Sequence, residues 1–353
     1  MSRLKSGIRG AIDRRAFMAS AAAAAATGVA GAPFISRAAP SQMVISTGGG
    51  ALDDAYKAAY FQPWTAKTGI AVTTGPNTGA KLKAMVEQKA VEWDVSQQPA
   101  ELAATMAKQG LLEPLDYSII DKSKLIKGVA FDHFVMCDIA AYHIAWNTKL
   151  VKPGAEPKDW PGFWAFSGRR GLWKRPYQTM EVALMGSGVD KDKLYPLDIR
   201  RALDSLAKIK DSIYWWERGA QVAQILIDGE VEATAAWNGR VYDPKKSGAP
   251  VDYHLNEALL VADAWCVPKG APNKRESMEF IAFALGADNQ ASFAQKLPYG
   301  PVNGDALKLL SKETLAVLPS SEENFKRSTF LDVNWWADNG EQAEAAFNKW
   351  ITG

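Results

Sequence analysis

The 353-residue sequence is short of the residues that build metal and disulfide sites: it holds two cysteines and three histidines. Two cysteines make neither a disulfide framework nor a four-ligand zinc site. His133, His143 and His254, none inside a recognisable motif, leave little for a histidine-based one. Gly-x-Ser-x-Gly, His-Glu-x-x-His and Gly-x-x-x-x-Gly-Lys are all missing, and Gly48-Gly49-Gly50 lacks the third glycine of a dinucleotide fingerprint at its required offset. An enzyme is therefore the minor alternative, and neither cofactor nor metal is expected. Charge of one sign is missing too. The formal net charge is +2, with no basic run or aromatic-interleaved basic face to serve as a nucleic-acid footprint. The apolar run at 16–32 is alanine-rich and too weakly hydrophobic for a membrane span.

What is present describes a folded protein. The chain is 47% hydrophobic and 23% charged, long enough for two modest domains with their own cores. Thirteen tryptophans are many for this length, and some of that aromatic surface is expected to line a cleft.

Residues 1–38 read as an export signal. Arg3, Lys5, Arg9, Arg14 and Arg15 precede the alanine-rich run, and Ser36-Arg37-Ala38 gives a small-x-small cleavage pattern. Asp13-Arg14-Arg15-Ala16-Phe17-Met18 resembles the twin-arginine export motif; a general secretory leader with two arginines by chance is the alternative. Without this segment the chain holds 35 basic and 38 acidic side chains, net −3, so the basic balance belongs to the leader. Neither cysteine lies near the cleavage point, so no lipid anchor is expected there. The expectation is a soluble periplasmic monomer.

Along the mature chain, strand and helix alternate. An apolar run at 43–46 leads into the Thr47-Gly48-Gly49-Gly50 turn and a helix through Ala51, Ala55 and Ala59, with Asp53 and Asp54 in its first turn. A strand at 70–72, a helix through Leu82 and Met85, a strand at Val95 and a helix over 102–108 continue the cycle, which argues for α/β layers with parallel strands. Two long extended runs, 134–146 and 259–267, lie far apart in sequence. One leaves a first lobe of 42–141 plus 264–302, and the other returns from a second lobe of 147–260 plus 305–353. Helices are expected over 199–210, 221–227, 277–285, 289–296, 305–311 and 338–350.

The Trp64 and Thr68-Gly69-Ile70 segment, Glu92-Trp93-Asp94-Val95, Ala236-Trp237-Asn238-Gly239, the run from Ala262 to Pro268, and Tyr299-Gly300-Pro301-Val302-Asn303 occur in that order. Together they resemble the periplasmic solute-binding receptors of polyamine-type bacterial ABC importers. The resemblance covers essentially the whole mature chain. It implies a two-lobed type II periplasmic binding fold that closes on its ligand and delivers it to a membrane permease and its ATPase. It also implies that Trp237 packs against the ligand's alkyl chain and that Asp263 meets its ammonium. Read from the residues alone, Asp263 is a carboxylate within an apolar run, costly without a partner, and Trp237 ends a strand where a cleft belongs.

The chain departs from the polyamine pattern in several places. Glu181 is retained, but Gln178 stands at the other acidic position, Val261 replaces an aromatic, and Thr47 and Gly48 stand where an early aromatic and acidic cluster belongs. Arg240 is added three residues after Trp237, with a surface salt bridge as its bland role. One fixed cation and one anion suit a small zwitterion better than a diamine. The leading ligand is therefore a short ω-amino acid such as 4-aminobutyrate, with polyamines the runner-up. The expected ligand residues are Arg240, Asp263, Trp237, Thr47, Gly48, Gln178 and Glu181. Trp215, Trp216, Trp335 and Trp336 are expected in packing, and Cys137 and Cys266, on the two long strands, as free buried thiols rather than a bridge.

Overall fold

The computed structural model describes residues 40–353, so the export signal read at 1–38 lies outside the described residues. Nine strands are formed among those described: β1 (Gln42–Thr47), β2 (Ala71–Pro76), β3 (Val95–Pro99), β4 (Phe134–Asn147), β5 (Arg170–Trp173), β6 (Ile213–Trp216), β7 (Ala233–Trp237), β8 (Val251–Cys266) and β9 (Thr329–Phe330). They join in the order β2-β1-β3-β8-β4-β7-β5-β6, with β9 alongside β8.

The alternating pattern predicts parallel strands, and parallel pairing holds for β1 with β2 and β3, and for β5 with β6 and β7. The middle of the sheet differs. β4 runs antiparallel to both β7 and β8, and β8 antiparallel to β3. Two long strands that carry the chain out of one half of the sheet and back into it run in opposite senses, so the centre cannot be parallel. β4 is buried along its whole length except at Trp146, as a near-continuous apolar run between two neighbours demands. Its pairing with β8 shifts register at Met136/Asp138 and again at Tyr142/Ile144. Such irregularities bend strands and re-aim side chains.

Aromatic packing flanks this centre on both sides. Tyr56 and Tyr60 stack with Phe293 and abut Trp265 beside β1–β3. Trp160, Trp216 and Trp237 gather around Tyr142 beside β5–β7. Trp215 turns away to Phe347 and Trp350, and Trp336 is buried. Both cysteines are buried and unbridged; Cys266 faces Phe134 across the ladder rather than Cys137. The tail is helical over Lys274–Ala284, Ala287–Lys296 and Val333–Thr352. The helix expected at 305–311 is only Gly304–Leu307, and β9 lies in a stretch with too short a pattern to read.

Candidate ligand-binding site

Four strand ends lead into helices around one cavity of about 280 Å³. After β1 comes the helix Gly50–Tyr56, which supplies Ala51 and Leu52; after β3 comes Ala100–Lys108, which supplies Glu101. Gln178 precedes the helix Thr179–Gly186, which follows β5, and Gly239 and Arg240 open the helix Asn238–Lys246 after β7. Ala140 of β4, Val261 and Asp263 of β8, and Tyr299 close the wall. Helix N-termini direct unpaired N–H groups outward, which favours an anionic ligand group. The volume suits a small solute.

Trp237 is half-buried and braced by other rings: Trp173 at 4.9 Å and Trp216 at 5.2 Å between centroids, both nearly edge-on. Its Nε1 donates to Gln178 Oε1 at 2.9 Å, and Gln178 is held at φ +67°. A non-glycine residue in that region is strained, and strain concentrates at functional sites. The next residue, Asn238, is fully buried. Its Oδ1 accepts from the Ala141 backbone N–H at 3.0 Å, and its Nδ2 donates to the Pro298 carbonyl. Gly239 admits Tyr299: a Cβ there would lie 2.7 Å from the ring's Cε1 and 3.0 Å from its hydroxyl. Arg240 follows, exposed and in no ion pair or hydrogen bond among the described residues.

The acids lie opposite. Asp263 on β8 faces Pro99 of β3 on one side and Asp138 of β4 on the other. Burial raises its pKa well above the usual carboxylate range; the negative charges of Asp138 and Glu101 push the same way, and a hydrogen bond from the Gln97 side chain opposes them. Asp138 is fully buried, accepts from the Tyr56 hydroxyl at 2.6 Å, and is raised by burial to about 6. Glu101 sits in the first turn of its helix and is raised to about 7, by burial first and by the charge of Glu181 besides; among the described residues its carboxylate accepts only from its own backbone N–H. Among the described residues no cationic side chain pairs with any of the three.

Residues 59–314 match the family model of the bacterial extracellular solute-binding proteins. The chain belongs to that family. It is 36% identical over 317 residues to the gamma-aminobutyric acid-binding protein of Pseudomonas aeruginosa, covering 86% of this chain and 88% of the relative. It is 26% identical over 281 residues to a spermidine/putrescine-binding periplasmic protein of Haemophilus influenzae, covering 73% and 76%. A solved structure described as the Atu4243-GABA receptor superposes with a TM-score of 0.82 at 36% identity, covering 88% of this chain and 97% of that one. The chain is thus a two-lobed α/β solute-binding protein rather than an enzyme, and the relatives named for a ligand are periplasmic receptors or binding proteins.

In this solute-binding protein the cavity brings together four of the seven residues singled out from the sequence: Gln178, Trp237, Arg240 and Asp263. The other three do not line it. Thr47 is buried beneath the glycine turn and donates to Asp53 Oδ1 at 2.6 Å. The Gly48 N–H donates to Gln97 Oε1 at 2.9 Å, so it is engaged within the protein. Gly49 and Gly50 take φ +72° and +65°, so the tripeptide serves a tight strand-to-helix turn that glycine alone adopts readily. Glu181 is fully buried, and its Oε1 accepts from the Tyr195 hydroxyl and Trp336 Nε1, each at 2.6 Å. Sequence reasoning missed Glu101, Trp173 and Tyr299 as lining residues. Tyr299 lay within a segment that carried the family resemblance. Glu101 had only the ordinary signal of an acid at a helix start.

Proposed function

We propose that this protein is the periplasmic receptor of an ABC importer and that its ligand is a short ω-amino acid, with 4-aminobutyrate foremost. Arg240 pairs with the carboxylate, assisted by the Gln178 amide; Asp263 takes the ammonium; Trp237 covers the methylenes between them. The observation that carries the reading is that Arg240 and Asp263 line one small cavity and neither has an ion-pair partner among the described residues. An acid and a base that line one cavity without pairing with each other suit a ligand with opposite charges at its two ends. The family likeness to a gamma-aminobutyric acid-binding protein supports the same ligand. The chain takes this role as a monomer, handing ligand to a membrane permease and its ATPase. Its lobes are 42–141 plus 264–302 and 147–260 plus 305–353, and 1–38 is a twin-arginine export signal removed near Ala38. A diamine is the second reading, favoured by the two carboxylates, Glu101 and Asp263, on the cavity wall.

Calorimetric titration with 4-aminobutyrate and with putrescine separates the two. The expected result is saturable one-to-one binding of 4-aminobutyrate and a much weaker response to putrescine. Arg240→Ala and Asp263→Ala then each weaken 4-aminobutyrate by about 2–5 kcal/mol, because each leaves one ligand charge enclosed and unpaired. Tight putrescine binding without 4-aminobutyrate binding, or an Arg240→Ala protein with full affinity, rules the zwitterion reading out.

A further inference from the structure

The carboxylate of Glu101 ties no second element of the fold to its own helix among the described residues. It lines the same cavity as Asp263, and among the described residues its side chain makes no ion pair and no hydrogen bond beyond its own backbone. Its place follows from the sheet. Pro99, the last residue of β3, sits across the ladder from Asp263, and the helix carrying Glu101 begins at the next residue. The two carboxylates are close enough for the charge of Glu101 to help raise the Asp263 pKa. Among the lining residues Glu101 and Asp263 are the only acids and Arg240 the only base. A zwitterion whose carboxylate occupies Arg240 leaves both acids to its amine end.

We propose that Glu101 is a second carboxylate for the ligand's amine and that, with Asp263, it restricts the site to primary ammonium groups. The inference rests on the functional reading above and adds the chemistry that selects at one end. An ammonium carries three N–H donors and can donate to both carboxylates at once. A trimethylated nitrogen carries none. It would exclude water from two acids while giving neither a hydrogen bond, and a polar group enclosed without a partner is what a built site rejects most strongly. Glu101 is thus a specificity residue that discriminates amino acids from their betaine analogues.

The test titrates the wild type and Glu101→Gln with 4-aminobutyrate and with its N-trimethyl analogue. The expected result is a loss of about tenfold or more for 4-aminobutyrate in Glu101→Gln, with a smaller loss for the trimethyl analogue, so that the preference between them narrows. Unchanged 4-aminobutyrate affinity, or an equal loss for both ligands, overturns the inference while leaving the functional reading intact. Glu101→Gln removes a half-buried charge with no cationic partner among the described residues, so its ligand-free unfolding midpoint is expected at or above that of the wild type. Should it fall instead, Glu101→Asp provides the readout: it keeps the charge and must retain more affinity than Glu101→Gln. If the wild type binds putrescine and not 4-aminobutyrate, the functional reading fails and Glu101→Gln must weaken putrescine by the same factor for the inference to stand. Binding of neither probe by the wild type overturns both.

Discussion

Gly239 lies between Trp237 and Arg240, which line the cavity, and decides where a third lining residue can lie. Tyr299 packs against its α-carbon, and any Cβ at 239 would intrude on the ring edge and hydroxyl. A tyrosine ring cannot yield locally as the end of a lysine would, so Gly239→Ala must move the ring, the helix start or both. Overpacking of this kind costs about 1–3 kcal/mol. The expected outcome is a folded protein with a modestly lower unfolding midpoint and a disproportionate loss of ligand affinity, because Tyr299 and Arg240 shift together. Thermal unfolding and calorimetry on one preparation check it; a variant that loses stability alone would show that the wall tolerates the shift. At this scale the sequence was readable where a residue contradicts its neighbours. Asp263 within an apolar strand and Arg240 after a strand-ending tryptophan both did so. Glu101 did not, since an acid in a helix's first turn is what the helix dipole favours anyway.

At the scale of elements, the long strands were legible because a fully enclosed strand is near-continuously apolar, and β4 is so apart from Asp138, His143 and Asn147. Their antiparallel course was not legible from strand–helix alternation, since direction at the centre is set by how the chain returns from the far half. Glu181 illustrates the same limit. In sequence it is an acid near a site segment; in the fold it joins helices. It lies on Thr179–Gly186 and accepts from Tyr195 and from Trp336 of Val333–Thr352, whose sequence positions give no hint of proximity. Its carboxyl is raised to about 7, burial being the first cause and the two donors opposing it. Glu181→Ala leaves an enclosed hydroxyl and indole N–H without their acceptor and opens a void. A loss of about 2–5 kcal/mol in stability is expected. Ligand affinity, measured by calorimetry below the unfolding transition, is expected to change less than stability, because Glu181 reaches the cavity only through its charge on Glu101. A selective loss of affinity at unchanged stability would return Glu181 to the site.

At the scale of the whole molecule, enclosed carboxyls give the ligand-free protein a characteristic response to pH. Glu101 and Glu181 are raised from 4.5 to about 7 and Asp138 from 3.8 to about 6; Asp263, Asp94 and Glu257 shift in the same direction. Each binds a proton more tightly folded than unfolded, so its contribution to stability is complete below its unfolded pKa and is lost as pH rises through the folded one. His143 acts in the opposite sense. Burial lowers it from 6.5 to about 3, so stability rises with pH across that interval and the effect is nearly complete above 6.5. Between about pH 6.5 and 8 the carboxyls therefore dominate, and the ligand-free unfolding midpoint is expected to fall as pH rises. An ammonium ligand reverses part of this, because it supplies the positive charge that Asp263 and Glu101 lack and binds best once both are ionised. At about 100 times its dissociation constant a ligand adds about 2.7 kcal/mol of stability. Held at one fixed concentration, 4-aminobutyrate is expected to raise the midpoint more at pH 8 than at 6.5. Thermal scans with and without ligand across that range measure both slopes. A ligand-free midpoint that rises with pH, or a ligand-induced shift that shrinks, would mean that the cavity carboxylates are already compensated within the protein.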